Sequence, residues 1–273
     1  MISHKHKAIF IHIPKCAGNT VNHLLEQELG FKGVSKTTGW KQPVQRLLFY
    51  RYYLFLIMQS RHLYSFKEWL KFAITSTRYL TKPVLDLNAH GFKPPDELSG
   101  AFRIGTLRRY LRTIPENMMN EYHKFTFVRN PYERAVSIWS FLSSDTRGLD
   151  KINVSFPEFI TAVSRSDYQS LHPQLRPEIY ADLEWHAMPQ VSHLKNTEGV
   201  IDINFYGKLE HFVKDWQTVH QHLNLSYASF NPQVRLNTSK HENFKQYYTK
   251  ELEEMVLSYY REDFEAFGYE KKI

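Results

Sequence analysis

The fold of this chain is decided by the stretch Ile9-Phe10-Ile11-His12-Ile13-Pro14-Lys15-Cys16-Ala17-Gly18-Asn19-Thr20. An apolar run ends at a Pro-Lys turn, and small residues then open an amphipathic helix. The unpaired N–H groups at such a helix start, together with the helix dipole, attract an anion. Lys15 adds a positive charge, and Asn19 and Thr20 add polar side chains. The stretch therefore predicts a site for a phosphate or an anion of similar shape.

The order of residues in this stretch excludes the ordinary P-loop nucleoside triphosphatases. Their loop reads G-x-x-x-x-G-K-[ST], with the lysine directly after the second glycine. Here Lys15 stands three residues before Gly18, which is the only glycine of the stretch. The same order disfavours a nucleotide-dependent kinase. A simple strand and turn with a surface lysine is the alternative interpretation.

A second apolar strand that runs into a helix is Phe125-Thr126-Phe127-Val128-Arg129-Asn130-Pro131-Tyr132-Glu133-Arg134-Ala135-Val136-Ser137. Pro131 suits the first turn of that helix because its missing N–H would be unpaired there anyway. Arg129 leaves the strand end, and Ser137 lies nearly two turns into the helix. An arginine fork matches a terminal phosphate, and a serine hydroxyl can donate to the same oxygens. For Arg134 we expect a salt bridge or a surface charge rather than a ligand role.

The two motifs, H-I-P-K-x-A-G-N-T at 12–20 and V-R-N-P-x-E-R-x-x-S at 128–137, resemble those of sulfotransferases that use 3′-phosphoadenosine 5′-phosphosulfate (PAPS). Within these enzymes the chain is similar to the carbohydrate, Golgi-type family 2, as a soluble member of bacterial type. The resemblance implies a sulfotransferase fold like that of P-loop NTPases, an α/β fold with a central parallel sheet flanked by helices and a helical insertion. Strand–helix alternation along the chain independently favours such a sheet.

Two later segments extend the resemblance. Trp185-His186-Ala187-Met188-Pro189-Gln190, followed by residues 202–210, looks like the H-W-x-P-Q and D-F-x-G-x-x-E block of the same family. Asn237-Thr238-Ser239-Lys240, followed by residues 263–269, is similar to its N-x-S-K and D-x-x-x-F-G-Y ending. The resemblance implies that Lys240 or the backbone around Thr238 closes over the nucleotide, and a surface lysine is the alternative for Lys240 alone.

The resemblance also implies a reaction and a set of site residues. The reaction moves the sulfuryl group of PAPS, the co-substrate, to a hydroxyl of a carbohydrate, lipid or small metabolite, without a metal. Lys15 is the candidate that neutralises the leaving oxygen, and Cys16 is expected to pack rather than act as a nucleophile. The residues implied to bind the donor are Lys15, Cys16, Ala17, Gly18, Asn19, Thr20, Arg129, Ser137, Thr238, Ser239 and Lys240.

An acceptor hydroxyl needs a base, and a histidine with a pKa near neutrality is the usual choice. Among the 14 histidines, His90 in an irregular loop is the first candidate, and His186 in a family-like segment is the second. The family usually carries a histidine where residues 102–106 read Phe-Arg-Ile-Gly-Thr. This departure leaves the base open. It also keeps an alternative function open, a non-catalytic module that binds a nucleotide or an anionic surface and retains a vestigial loop.

Length and composition fit one domain over residues 1–273. The chain is 42% hydrophobic, and its single cysteine excludes a disulfide framework and a cysteine-rich zinc site. Residues 4–7 lead straight into the first strand without a signal peptide, and no apolar stretch approaches the ~20 residues that span a bilayer. A cytoplasmic setting is therefore expected.

The positive charge is concentrated in residues 41–82, which carry eight Lys or Arg, one acid and ten aromatic residues. The pattern predicts a basic, aromatic insertion of two helices. An insertion packed on the core, an acceptor-binding lid, a membrane-surface contact and a homodimer interface remain the alternatives for its role. Nucleic acid is not expected, because no recognisable nucleic-acid module accompanies the segment.

Periodicity and capping residues predict the other elements. We expect strands at 8–13, 124–128 and 200–206, the last ended by Gly207, and helices at 19–30, from 131 to about 142, and 249–267. Ser155 to Glu158 form a capping box that opens a short helix, and residues 164–189 are expected to be a loop.

Overall fold

The computed structural model describes residues 2–3, 6–28, 116–144, 151–172, 177–225 and 243–273. The predicted insertion at 41–82, His90 and residues 238–240 lie outside the described residues. The elements, in chain order, are β1 (Ile2–Ser3), β2 (Ala8–Phe10), α1 (Gly18–Glu28), α2 (Glu116–Glu121), β3 (His123–Val128), α3 (Pro131–Leu142), α4 (Phe156–Ser164), α5 (Pro177–Ala187), β4 (Phe205–Lys208), α6 (Phe212–His222), α7 (Lys250–Tyr259) and α8 (Arg261–Phe267). Short 3₁₀ turns lie at Tyr168–Leu171, Gln190–His193, Leu209–His211 and Phe244–Tyr247.

The strands form one sheet in the order β1-β2-β3-β4. β2, β3 and β4 run parallel, with Phe10 opposite Phe125 and Phe125 opposite Phe205, while β1 pairs antiparallel with β2. The apolar side chains of β2 and β3 alternate between two clusters. One packs against α1 and α6, and the other against α2, the turn at 190–193 and α8. A mixed α/β architecture with helices around a three-strand parallel sheet is therefore confirmed.

The carboxyl ends of the parallel strands bring both sequence motifs to one edge of the sheet. The Ile11 N–H donates to the carbonyl of Phe125 (2.9 Å), so pairing continues beyond the end of β2. Thr126 Oγ donates to the Ile11 carbonyl (2.7 Å) from the buried interior of β3. Ligands of open parallel sheets bind at this edge.

The prediction of a loop at 164–189 is wrong, because Pro177–Ala187 forms α5. Leu183 and Ala187 are fully buried against α3, α4 and α7. Pro177 occupies the first helical position, where proline is favoured, but the high His, Pro and Gln content of the segment masked the helix in the sequence. Burial in the tertiary structure, rather than local composition, therefore makes this segment a helix.

The strand predicted at 200–206 is displaced along the chain. Ile201 makes only an isolated bridge to Lys195, and Gly207 lies inside β4 instead of ending it. A Cβ at position 207 would lie 2.5 Å from Cε1 of Phe127, so the glycine lets strand and ring approach closely. Asn204 fixes the register, because its Oδ1 accepts from the Lys124 N–H (2.8 Å).

The helix predicted from 131 to about 142 is confirmed as α3, whereas other predictions differ in their bounds. β2 ends at Phe10 instead of residue 13, α1 spans 18–28 instead of 19–30, and the expected final helix is broken at Tyr260 into α7 and α8. The capping box of Ser155 and Glu158 is present at the start of α4. In the part of the chain that the structure describes, no helix has the length and apolar character needed to cross a membrane.

Candidate functional site

The first motif forms a tight loop between β2 and α1. Lys15 and Ala17 both have positive φ values, 65° and 61°, and Cys16 lies between them. Residues in the left-handed region redirect the backbone N–H groups, and backbone concavities that bind anions are built from such residues. Each non-glycine residue held in this region costs on the order of 1–3 kcal/mol, and such strain clusters at ligand sites.

The loop leads directly into the first turn of α1. Because α1 begins at Gly18, the N–H groups of Gly18, Asn19 and Thr20 have no intrahelical carbonyl to donate to. A Cβ at Gly18 would lie 2.3 Å from Cε1 of His12, so only glycine permits this approach to the imidazole ring. The predicted anion site therefore has N–H donors, and a histidine packs against its glycine.

The side chain of Lys15 extends from the loop to helix α3. Its Nζ is 4.4 Å from the centre of the Phe141 ring. Burial, with a second contribution from the charge of Arg129, lowers the pKa of Lys15 from 10.5 to about 8. The Cys16 thiol and the Arg129 N–H both donate to Oε1 of Gln190, so the first and second motifs meet at the same place.

Arg129 begins the second half of the site. Its side chain is 12% exposed, and both Nε and one terminal nitrogen donate to Oε2 of Glu133 at 3.3 Å. Ser137 lies about one helical turn beyond Glu133 on α3 and is buried. The sequence prediction missed Glu133, although it lies inside the quoted motif. An anion that binds Arg129 competes with this carboxylate.

Arg134 has a structural role, as preferred over a ligand role, but the expected surface charge or salt bridge is wrong. The side chain is 1% exposed, and it donates to three backbone carbonyls, those of Pro14 (3.2 Å), Met188 (3.0 Å) and His186 (2.9 Å). Arg134 therefore ties the first loop to the segment that follows α5. Three acceptors in fixed positions suit the forked guanidinium, which explains an arginine in the core.

Cys16 packs as the sequence predicted. Its thiol donates to Oε1 of Gln190 at 3.2 Å, and burial raises the thiol pKa to about 12. A thiol that stays protonated at neutral pH is a poor nucleophile. The sulfur is therefore not available to the loop's ligand, and the Cys16 N–H donates to the carbonyl of Ile13 (3.4 Å).

His186 is the candidate base that lies within the described residues. Its Nδ1 is 2.8 Å from the carbonyl oxygen of Asp182 and 3.3 Å from the Asp182 carboxylate. When Nδ1 carries the proton for these oxygens, Nε2 is the acceptor of the neutral ring. The ring centre is 5.1 Å from that of Phe141, the same ring that Lys15 contacts. Lys15 and His186 therefore contact the same aromatic ring.

A model of one protein family, described as the sulfotransferase family, matches residues 1–270. The chain belongs to the sulfotransferase family. Membership assigns this sulfotransferase to the transferases that move sulfuryl groups. No curated protein and no solved structure matches the chain.

The structure of this sulfotransferase brings some of the predicted residues together. Cys16 of the loop and the Arg129 N–H both donate to Gln190. Lys15 and His186 both contact the Phe141 ring, and Ser137 is buried in α3. His90, Thr238, Ser239 and Lys240 lie outside the described residues. Within the described ranges, no group of three His, Cys, Asp or Glu side chains is arranged to hold a metal ion. The prediction gave no role to the contact residues Glu133, Phe141, Gln190 and Asp263, although all except Phe141 lie in the quoted family-like segments.

Proposed function

We propose that this sulfotransferase moves the sulfuryl group of PAPS to a hydroxyl of a carbohydrate, lipid or small metabolite. One observation carries the proposal: Lys15 and Arg129, from two separate strand–helix motifs, lie close enough for the charge of one to lower the pKa of the other. Two neighbouring cations suit an anion with more than one charged group. A nucleotide with phosphate groups at both its 3′ and 5′ ends has this character.

The donor set fits such a nucleotide. The strained loop and the first turn of α1 offer N–H groups to the 5′-phosphosulfate, and Arg129 with Ser137 would hold the 3′-phosphate. The carboxylate of Glu133 pairs with the guanidinium of Arg129, and the bound 3′-phosphate would replace it in that pair. ATP carries only a hydroxyl at the 3′ position, so these contacts favour PAPS over ATP.

The proposed chemical step is an in-line displacement at sulfur. The acceptor oxygen forms a bond to sulfur as the bond from sulfur to the bridging oxygen breaks, and the leaving 3′-phosphoadenosine 5′-phosphate keeps the electron pair. Lys15 neutralises the charge that builds on that oxygen, and Nε2 of His186 takes the acceptor's proton. Positioning and electrostatics supply most of the catalysis in transfers of this type.

Thermal-shift titrations with 3′-phosphoadenosine 5′-phosphate, ADP and ATP test the nucleotide. Charge-assisted hydrogen bonds contribute ~1.5–3 kcal/mol, so we expect the 3′-phosphorylated nucleotide to bind about 10- to 100-fold more tightly. Arg129→Ala should remove most of this preference, whereas Arg261→Ala, at an exposed position on α8, should keep it. Equal shifts with all three nucleotides, or none, would contradict the proposal.

The pH profile of transfer tests the charge on Lys15. Because its pKa is about 8 in the free protein, kcat/KM for PAPS should fall about tenfold per pH unit above pH 8. The titration of Lys15 does not itself destabilise the fold in this range. A lysine whose pKa is lowered on folding makes the folded state gain stability as pH rises from about 8 to 10.5.

Lys15→Arg is the control for this profile, because a guanidinium keeps its charge throughout the range. The residual activity of this variant should stay level between pH 8 and 10. A wild-type profile that is also level across this range would show that Lys15 is not the titrating group.

A further inference from the structure

We infer that Gln190 is a positioning residue that fixes Arg129 relative to the first loop and thereby sets the preference for a 3′-phosphorylated nucleotide. The inference rests on the proposed function, since it concerns the selectivity of the same site. Gln190 is fully buried in the 3₁₀ turn after α5.

The side-chain amide of Gln190 pairs with the backbone of Arg129 at two points. Oε1 accepts from the Arg129 N–H, and Nε2 donates to the Arg129 carbonyl, both at 2.9 Å. This is the pairing that a neighbouring strand would make, and it begins where β3 ends at Val128. The amide therefore holds the backbone from which the Arg129 side chain extends.

The same amide reaches the first loop. Oε1 also accepts from the Cys16 thiol at 3.2 Å, and Cys16 lies between the two strained residues Lys15 and Ala17. One oxygen atom thus receives a donor from each motif. Displacing it changes the spacing between the loop and Arg129 without removing a group that contacts the nucleotide.

Asp263 orients the amide from the opposite side. Its carboxylate, fully buried in α8, accepts from the Gln190 N–H (2.8 Å), the Val191 N–H (2.9 Å) and Gln190 Nε2 (3.3 Å). A carboxylate accepts only, so Nε2 must face it and Oε1 must face Cys16 and the Arg129 N–H. The carboxylate therefore selects one of the two flip states of the amide.

Binding of two nucleotides that differ only in the 3′-phosphate tests the inference. Adenosine 5′-phosphate and 3′-phosphoadenosine 5′-phosphate are titrated calorimetrically into wild type and Gln190→Asn, whose amide is one methylene too short to keep both pairings. We expect the Kd of the 3′-phosphorylated nucleotide to rise about tenfold and that of adenosine 5′-phosphate to change less than twofold.

Leu194→Ala is the matched control. Leu194 is fully buried close to Gln190 in the chain, and its side chain packs in the apolar cluster beneath the sheet. The cavity destabilises the protein, but the ratio of the two dissociation constants should stay at the wild-type value. Arg129→Ala combined with Gln190→Asn should bind the 3′-phosphorylated nucleotide no more weakly than Arg129→Ala alone, because Gln190 acts through Arg129.

The outcomes separate the two proposals. A wild-type protein with no preference for the 3′-phosphate would overturn the proposed function. A wild-type preference that Gln190→Asn retains, or that Leu194→Ala loses to the same extent, would overturn the role of Gln190. If Gln190→Asn does not fold, Gln190→Met replaces it, because methionine fills a similar volume without the amide. The ratio of the two dissociation constants then tests the role of Gln190 in the same way.

Discussion

A Lys15→Ala variant is expected to lose sulfuryl transfer, with kcat falling on the order of 10²- to 10³-fold. The ammonium group meets its full counter-charge only in the transition state, when the bond to sulfur breaks and charge builds on the leaving oxygen. An interaction of this kind changes kcat more than ground-state affinity. The Kd of 3′-phosphoadenosine 5′-phosphate should therefore rise far less than kcat falls. Single-turnover transfer and calorimetric titration measure the two quantities separately.

Lys208→Ala is the control for this experiment. Lys208 also places its Nζ 4.4 Å from the centre of an aromatic ring, that of Tyr269, and it lies at the end of β4. Removing it deletes the same type of cation–ring contact without touching the loop, so kcat should stay near the wild-type value. Transfer by Lys15→Ala at the wild-type rate would show that Lys15 has no role in the chemical step.

The two strand–turn–helix motifs were predictable because each is local. A strand end, a turn and a helix start occupy about a dozen consecutive residues, and the bounds of α3 follow from helical periodicity and from Pro131 at its first position. The parallel sheet follows from the same units, since adjacent parallel strands need a crossover connection. Sequence therefore identified both motifs and the edge of the sheet at which they lie.

The contacts that hold these motifs were not predictable, because they join distant positions. Gln190 and Arg129 are 61 residues apart, and Arg134 reaches a carbonyl 120 residues away at Pro14. A polar residue in a sequence gives no indication of whether a buried partner will meet it. Helix α5 was missed for a related reason, because burial of Leu183 and Ala187 outweighs an unfavourable composition.

Arg134→Met is expected to lower the free energy of unfolding by about 3–5 kcal/mol. The substitution keeps much of the side-chain volume but leaves the carbonyls of Pro14, His186 and Met188 without their donor. It also removes a compensating charge, since burial raises the pKa of the Asp263 carboxyl and the charge of Arg134 opposes that rise. Urea unfolding, followed by fluorescence, measures the change.

Two further variants separate charge from geometry. Arg134→Lys keeps the positive charge, but a single ammonium group does not span carbonyls on two separate segments, so an intermediate loss is expected. Arg165→Met, at an exposed helix end, should change stability by less than about 0.5 kcal/mol. If Arg134→Lys is as stable as wild type, charge alone accounts for the residue; if Arg134→Met is as stable as Arg165→Met, the three hydrogen bonds do not hold the loop. A loss in both Arg134 variants that is matched by weaker nucleotide binding means that the fold of the loop and its affinity depend on the same buried guanidinium.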